Sequence, residues 1–417
     1  KPMVVTLPLI MILLDYWPMK RFQSQKSNLF LWQLKEKLPF LILSLLLVII
    51  AFYTPGSSAA YELFPLKARL ANAPVAFVAY LIKTFWPHNM AVFYPFPAHI
   101  LVWQAVQDCL LIIAVSMIVL IWAKKMPYLF VGWFWFFLTI VPVLGIHQIG
   151  DFAMTDRYHY LPSIGISVIL AWSVPMLFPT NHLRKKVLLS AALTFLALMA
   201  LVTWKQCGYW KDNITLFRHA LNVTKNNYLA HNNLGLALFA RGNTEAALAH
   251  YNEVIRIRPA DITPYHNKAI VYTRLGQYSL AIENYNEAIR MMPDNVESYH
   301  RRADVYQHLG LYQRAIDDLT KVIALRPDHS SDYYTRGTLY IHLARYQQAI
   351  DDYSKAISLN PDYFEAYNNR AFIYLQKGQY RQAYDDYSKA ISIKPDYADA
   401  YNNRAFILLS TGNMMAG

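Results

Sequence analysis

Residues 346–379 read YQQAIDDYSKAISLNPDYFEAYNNRAFIYLQKGQ, and residues 380–413 read YRQAYDDYSKAISIKPDYADAYNNRAFILLSTGN. The second segment restates the first one period later, and the period continues upstream through Pro259, Pro293, Pro327, Pro361 and Pro395. Gly242, Gly276, Gly310, Gly378 and Gly412 keep the same interval, with Ala344 the exception. Ala247, Ala281, Ala315, Ala349 and Ala383 do so too, each followed four residues on by Tyr251, Tyr285, Leu319, Tyr353 or Tyr387. Glycine suits a tight turn between two helices and proline a helix end. A small residue one helical turn from a large one lets one helix pair nest against the next. Composition alone does not place four residue types in phase five times.

A helix-turn-helix unit of about 34 residues has the period of the tetratricopeptide repeat, TPR, so the second half is predicted to be an all-α solenoid. Five full repeats run from Tyr228 to Tyr397; a sixth opens with Tyr401, Arg404 and Ala405 and stops at Gly417, before its second helix. A solenoid of this kind presents a groove lined by the first helix of each repeat, and binding is its default role. Asn233, Asn267, Asn369 and Asn403 share one repeat position, interrupted by Arg301 and Thr335; Lys268, Arg302, Arg336, Arg370 and Arg404 occupy the next. The asparagines suit the backbone of an extended peptide and the basic row suits acidic segments. The other reading of the same rows is a solvated helix face whose arginine stems cover apolar surface.

The first half has a different character. Near-continuous apolar runs lie at Met3–Trp17, Leu38–Tyr53, Leu101–Ala123, Tyr128–Ile146, Leu161–Phe178 and Val187–Trp204. Most approach the roughly 20 residues that cross a bilayer, and several end in Trp or Tyr. Six spans are predicted. Lys20, Arg21, Lys26, Lys35 and Lys37 follow the first, Lys124 and Lys125 the third, and Arg184, Lys185 and Lys186 the fifth. The positive-inside rule makes all three loops cytoplasmic, so the loops 54–100 and 147–160 and everything after Trp204 are expected outside. The organisation read from sequence is therefore a multi-span transmembrane helix bundle over residues 1–204, a connector over 205–227 and the solenoid over 228–417. Within loop 54–100, Arg69–Trp86 carries apolar residues at helical spacing between Pro74 and Pro87, which predicts an interfacial helix. Phe93-Tyr94-Pro95-Phe96-Pro97 predicts a stiff extended connector.

The whole chain is 55% hydrophobic and carries a formal charge of +12. Of the 39 basic residues, 15 precede Trp204 against 6 acidic ones, so the excess sits in loops between apolar runs and is topological. That argues against nucleic acid as a partner. Two cysteines, Cys109 and Cys207, support neither a disulfide framework nor a thiolate metal site. With no H-E-x-x-H, G-x-S-x-G or glycine-rich phosphate loop, no metal and no cofactor are expected, and no soluble hydrolase or kinase. The chain begins Lys1-Pro2-Met3 inside an apolar stretch, and both ends are expected to be cut from a longer protein.

One dense polar cluster precedes the fifth span: His147, Asp151, Asp156, Arg157, Tyr158, His159 and Tyr160. An arginine flanked by tyrosine and histidine at the outer surface can grip the phosphate of a lipid-linked donor, because a guanidinium gives bidentate contacts and keeps its charge near lipid. Lys83, His147 and His159 are further candidates for that phosphate. The other reading is interfacial anchoring by Tyr and Arg157, with Asp156 as the partner of Arg157. Asp108, inside the third run, is either a functional carboxylate or lies near the outer boundary.

The run from Lys1-Pro2-Met3 to Leu14-Asp15-Tyr16-Trp17-Pro18, the stretch from Arg69-Leu70-Ala71-Asn72 to Lys83-Thr84-Phe85-Trp86-Pro87, and Asp156-Arg157-Tyr158-His159-Tyr160-Leu161-Pro162-Ser163 together resemble a known family. They are similar to the later membrane part of the TPR-bearing O-mannosyltransferases and their bacterial relatives, multi-span glycosyltransferases that use polyprenyl-phosphate sugars. The resemblance implies repeats on the periplasmic or lumenal side of a bacterial inner membrane or the endoplasmic reticulum. It also implies a catalytic carboxylate in a first outer loop upstream of these residues, so no catalytic residue is assigned here. The resemblance implies transfer of a sugar, mannose included, from a polyprenyl-phosphate donor to a Ser or Thr hydroxyl of a polypeptide held in the TPR groove. The rival is a non-catalytic scaffold whose spans anchor a TPR array in the bilayer.

Overall fold

The computed structural model describes residues 5–24, 28–53, 65–97, 101–146, 152–174 and 181–410. It divides into two compact units, Lys1–Leu238 and Phe239–Gly417.

In the second unit, consecutive helices pair as the period requires: Thr263–Arg274 with Tyr278–Met291, Val296–His308 with Tyr312–Leu325, Ser330–His342 with Tyr346–Leu359, and Phe364–Gln376 with Tyr380–Ile393. Thr244–Ile257 precedes them and Ala398–Ser410 follows. Gly276, Gly310 and Gly378 turn the chain at φ between +70° and +72°, and Ala344, the exception in the series, adopts φ +55° at the same place. Ala281, Ala315, Ala349 and Ala383 are fully buried beside the equally buried Tyr285, Leu319, Tyr353 and Tyr387. An aromatic side chain removes roughly 150–250 Å² from water, on the order of 4–6 kcal/mol as an upper bound, so the rings supply much of the inter-helix cohesion. Asn243 and Asn295 cap their helices through the amides of Ala246 and Ser298.

In the first unit each of the six apolar runs overlaps a helix among the described residues: Leu7–Tyr16, Leu29–Tyr53, Val102–Trp122, Pro127–Ile140, Ser163–Ser173 and Asn181–Tyr209. Among the described residues two segments, Val102–Trp122 and Lys186–Tyr209, are long and apolar enough to cross a membrane. Their outward faces carry Leu110, Ile113, Met117, Ile121, Leu193, Leu196 and Leu201, all exposed. Apolar surface on this scale requires lipid or protein around it. Pro127–Ile140 and Ser163–Ser173 cross at Gly132 and Gly165, where a Cβ added to Gly132 would stand 2.5 Å from the Gly165 carbonyl oxygen. Around that crossing Phe77, Tyr80, Phe136 and Ile140 form a dry core, with Phe77 edge-on to Phe136 at 5.2 Å.

Two details differ from expectation. The helix expected over Arg69–Trp86 spans Leu66–Phe85 and carries Pro74 within it. The Pro-aromatic connector is extended, but Tyr94–Pro95 also pairs antiparallel with Phe152–Met154. The basic loop after the first run is likewise more than a charge signal. Lys37 is buried against the buried Asp15 at 2.9 Å, and Arg21 bridges Asp15 and Glu36, both at 2.9 Å.

Candidate functional site

The helix Leu66–Phe85 buries Ala73, Ala76, Phe77 and Tyr80, a stripe at three- and four-residue spacing. Continued by one turn, that stripe points Lys83 and Thr84 inward too. Tyr80 fixes the opposite wall: its hydroxyl donates to the Thr155 carbonyl at 2.9 Å and accepts from the Thr155 amide at 3.0 Å. Downstream of Thr155 the chain makes a single 3₁₀ turn, Asp156–Tyr158. Successive side chains in such a turn fan out by about a third of a circle, so Asp156 points in while Arg157 points out.

Asp156 is held by three groups. The Ala91 amide and the Tyr94 hydroxyl each donate to Oδ2 at 2.7 Å, and Lys83 Nζ stands 3.7 Å from Oδ1. Lys83 in turn donates to the Tyr94 hydroxyl at 2.7 Å and to the carbonyls of His88 and Asn89 at 3.3 Å. Asn89 adopts φ +51°, a left-handed conformation asparagine tolerates. His159 Nε2 bonds the Thr84 hydroxyl at 3.0 Å, and its ring stacks parallel to Tyr80. Asp156 Oδ1 and His159 Nδ1 are buried with no hydrogen-bond partner among the described residues.

Burial moves these groups toward neutrality. It raises the Asp156 carboxyl, against the pull of Lys83, Tyr94 and the Ala91 amide. It lowers the Lys83 ammonium, against the attraction of Asp156. His159 falls to about 4 through burial and the neighbouring Lys83, so its imidazole is neutral at physiological pH. Tyr80 and Tyr94 rise for the same first reason, and the Asp156 charge adds to the rise in both.

Of the four candidates for the donor phosphate, Lys83 and His159 stand on adjoining walls of this cluster. Arg157 is exposed beside it, its guanidinium 5.4 Å from the Tyr158 ring. His147 lies outside the described residues. The expected pairing of Asp156 with Arg157 is corrected: Asp156 pairs with Lys83, because the 3₁₀ turn separates the two side chains. Sequence reasoning missed Tyr80, Thr84 and Tyr94. The available signal was a lysine placed in register with an apolar helical stripe, which demands a buried partner. Asp108 is half-buried near the start of Val102–Trp122, and Cys109 and Cys207 are exposed free thiols.

In the solenoid unit the arginine row has partners within the repeats. Arg302, Arg336 and Arg370 form bidentate pairs with Asp318, Asp352 and Asp386, and each also donates back to the preceding repeat, at Asn286, Thr320 and Ser354. Each guanidinium lies between two tyrosines, Tyr333 and Tyr340 for Arg336. Arg404 donates to Ser388 at 3.2 Å. These ion pairs balance the charge of Arg302, Arg336 and Arg370 within the repeats. Of the asparagines, Asn267 is buried, and the half-buried Asn369 donates to the Tyr334 hydroxyl at 3.1 Å. Asn403 is half-buried. In the other unit, Asn233 donates to the Leu229 carbonyl of its own helix at 2.7 Å.

Comparison with known proteins identifies tetratricopeptide repeats at residues 228–294 and TPR repeats at 337–378 and 373–412; residues 275–356 also match the anaphase-promoting complex, cyclosome, subunit 3 family. Over the repeat region the chain is similar to protein O-mannosyl-transferases. It is 30% identical over 122 residues to Protein O-mannosyl-transferase Tmtc2 of Drosophila melanogaster, a match covering 29% of this chain and 13% of that protein. It is 36% identical over 101 residues to human Protein O-mannosyl-transferase TMTC4, covering 24% and 13%. The match thus spans a small fraction of these relatives. Among solved structures, YrrB, described as a TPR protein with an unusual peptide-binding site, is 21% identical with a TM-score of 0.40, covering 45% of this chain and 97% of its own. MamA of Desulfovibrio magneticus is 22% identical at a TM-score of 0.38, covering 41% and 96%.

Proposed function

We propose that the intact protein is an integral-membrane glycosyltransferase that moves a sugar, mannose first among the candidates, from a polyprenyl-phosphate carrier to a Ser or Thr hydroxyl of a polypeptide. The observation that carries this reading is the gathering of Lys83, His159 and Asp156 beside the exposed Arg157. Phosphoryl oxygens need positive donors near the leaving group, and Lys83 and Arg157 offer two of different kinds. Asp156 orients the site on this reading, since its Oδ2 accepts from Ala91 and Tyr94 and its Oδ1 faces Lys83. An apolar cavity of about 620 Å³ beside Phe77, Ile113, Met117, Phe134 and Leu144 adds support, since it suits the hydrocarbon of a lipid carrier. The repeats' similarity to protein O-mannosyl-transferases supports a mannosyl donor and a protein acceptor.

On this reading the TPR groove holds the acceptor and raises its effective concentration near the membrane. The helices Phe364–Gln376 and Ala398–Ser410 carry the half-buried Asn369 and Asn403 toward an extended backbone, while the buried Asn267 and the ion-paired arginines stiffen the frame. The repeats lie on the periplasmic or lumenal side.

The test is transfer of radiolabel from a panel of polyprenyl-phosphate sugars to protein, in membranes carrying the full-length protein, Arg157→Ala and Lys83→Ala. Loss of about 10²-fold or more in both variants is the expected result. Transfer unaffected by either change removes the phosphate role from these residues. No transfer from any donor by the correctly folded parent replaces the enzyme with a membrane-anchored scaffold.

A further inference from the structure

The segment Met90–Tyr94 has two sides. One side builds the polar site, through the Ala91 amide and the Tyr94 hydroxyl that hold Asp156. The other side is gripped by the connector helix Asn213–Val223 and by the residues leading into Tyr228–Ala240. His219 Nε2 donates to the Met90 carbonyl at 3.1 Å, and its ring stacks on Tyr209 at 3.6 Å. Asn227, almost completely buried, donates from Nδ2 to the Phe93 carbonyl at 3.0 Å. Ala91 itself packs in a dry cluster with Ala220 and Ala230. A carbonyl, an amide, a carbonyl and a hydroxyl follow one another along five residues, and they alternate between connector and Asp156.

We infer that Asn227 and His219 are positioning residues of the Lys83–Asp156 site: by holding the Phe93 and Met90 carbonyls they fix the segment that presents Ala91 and Tyr94 to Asp156. Their importance for sugar transfer rests on the function proposed above; the mechanical coupling does not. Asn227 also has an ordinary structural job, since its Oδ1 accepts from the Ala230 amide and caps the following helix. Asn227→Asp separates the two roles. The aspartate keeps the capping oxygen and loses the donor that serves the Phe93 carbonyl and the Thr224 hydroxyl.

The groups that face Lys83 are Asp156, Tyr94 and the carbonyls of His88 and Asn89, and the Lys83 charge in turn acts through space on the neutral His159. A loosened segment lets water reach the ammonium and returns it toward its ordinary behaviour. The experiment follows reductive methylation of Lys83 by mass spectrometry across pH in the full-length protein, alongside radiolabel transfer. Asn227→Asp and His219→Ala are expected to move the Lys83 labelling midpoint up by about one pH unit and to lower transfer about tenfold. His219→Gln, which keeps an N–H donor, and Asn243→Asp, a cap far along the chain, are expected to match the parent. An unchanged Lys83 profile in both Asn227→Asp and His219→Ala overturns the inference, whatever the transfer assay gives. A shifted profile in a protein that transfers no sugar keeps the coupling and removes the enzymatic reading.

Discussion

Replacing Arg336 by methionine isolates what one rung of the arginine row contributes. Arg336 donates through Nε and Nη2 to the two oxygens of Asp352 at 2.8 and 2.7 Å, and through Nη1 to Thr320 at 3.0 Å. The Asp352 side chain is 8% exposed and that of Arg336 15%, so the pair is withdrawn from water. Methionine keeps much of the stem's cover over Tyr333 and Tyr340 and removes the charge. A carboxylate left buried without its partner costs about 3–5 kcal/mol. At 1.4 kcal/mol per factor of ten, local opening of the helices Ser330–His342 and Tyr346–Leu359 rises by about 10² to 10³·⁵. Amide hydrogen exchange of peptides from those helices in the full-length protein reads this directly. The double change Arg336→Met with Asp352→Leu removes the stranded charge as well and is expected to return protection to within about 1 kcal/mol of the parent. Single-variant exchange within a few-fold of the parent, or a double variant as labile as the single, refutes the argument that burial of Asp352 sets the cost.

Other outcomes follow from the same geometry. Ala344→Gly relieves a left-handed alanine at φ +55° and is expected to stabilise its repeat by about 1 kcal/mol, read by the same exchange measurement. Gly165→Ala forces a Cβ onto the Gly132 carbonyl, backbone that cannot swing aside, and is expected to lower the unfolding midpoint in detergent by the equivalent of about 1–3 kcal/mol. His159, with a folded value near 4 against 6.5 in the unfolded chain, binds fewer protons when folded across that window. Its contribution to stability is therefore full above about 6.5 and is lost as the pH falls toward 4; a histidine C2-exchange midpoint near 6.5 in the folded protein contradicts this. Lys37→Met removes the buried cation beside Asp15 and leaves that carboxylate only the more exposed Arg21 and Gln33, so the exchange protection of Leu7–Tyr16 is expected to fall more than in Lys35→Met.

The solenoid was legible because its information is periodic: alanine, tyrosine, glycine and proline each recur where packing or backbone conformation demands them. The one break in the glycine series shows why the reading was robust, since Ala344 takes the same left-handed turn under the constraint of its neighbours. The polar site was only half legible. Arg157 and His159 announce themselves in a polar run, whereas Tyr94 sits in a proline-aromatic stretch and Tyr80 in an apolar stripe. What brings them to Asp156 is a pairing between residues about sixty apart, Tyr94 with Met154, and no local pattern encodes that. The ion pairs of the arginine row were illegible for a similar reason. Its aspartates lie sixteen residues downstream, on the second helix of the same repeat, where helical spacing within one segment does not link them.

The two cations of the proposed donor site are suited to different tasks. Arg157 is exposed, and a guanidinium holds its charge in any surroundings, so it can attract a phosphate from the membrane surface without conformational change. Lys83 is withdrawn from water and tied to Asp156 through Tyr94, so its charge is already partly balanced. A phosphate arriving beside Lys83 favours the ammonium and disfavours the Asp156 carboxylate, whose own environment already pushes it toward protonation. Binding of the anion is thereby expected to draw a proton onto Asp156 and free Lys83 for the phosphate. Uptake of a proton on donor binding, measured by calorimetry in buffers of different ionisation enthalpy, is the signature of that exchange. It should persist in Arg157→Ala and disappear in Asp156→Asn, and a donor that binds with no proton uptake would show that Lys83 and Asp156 stay paired.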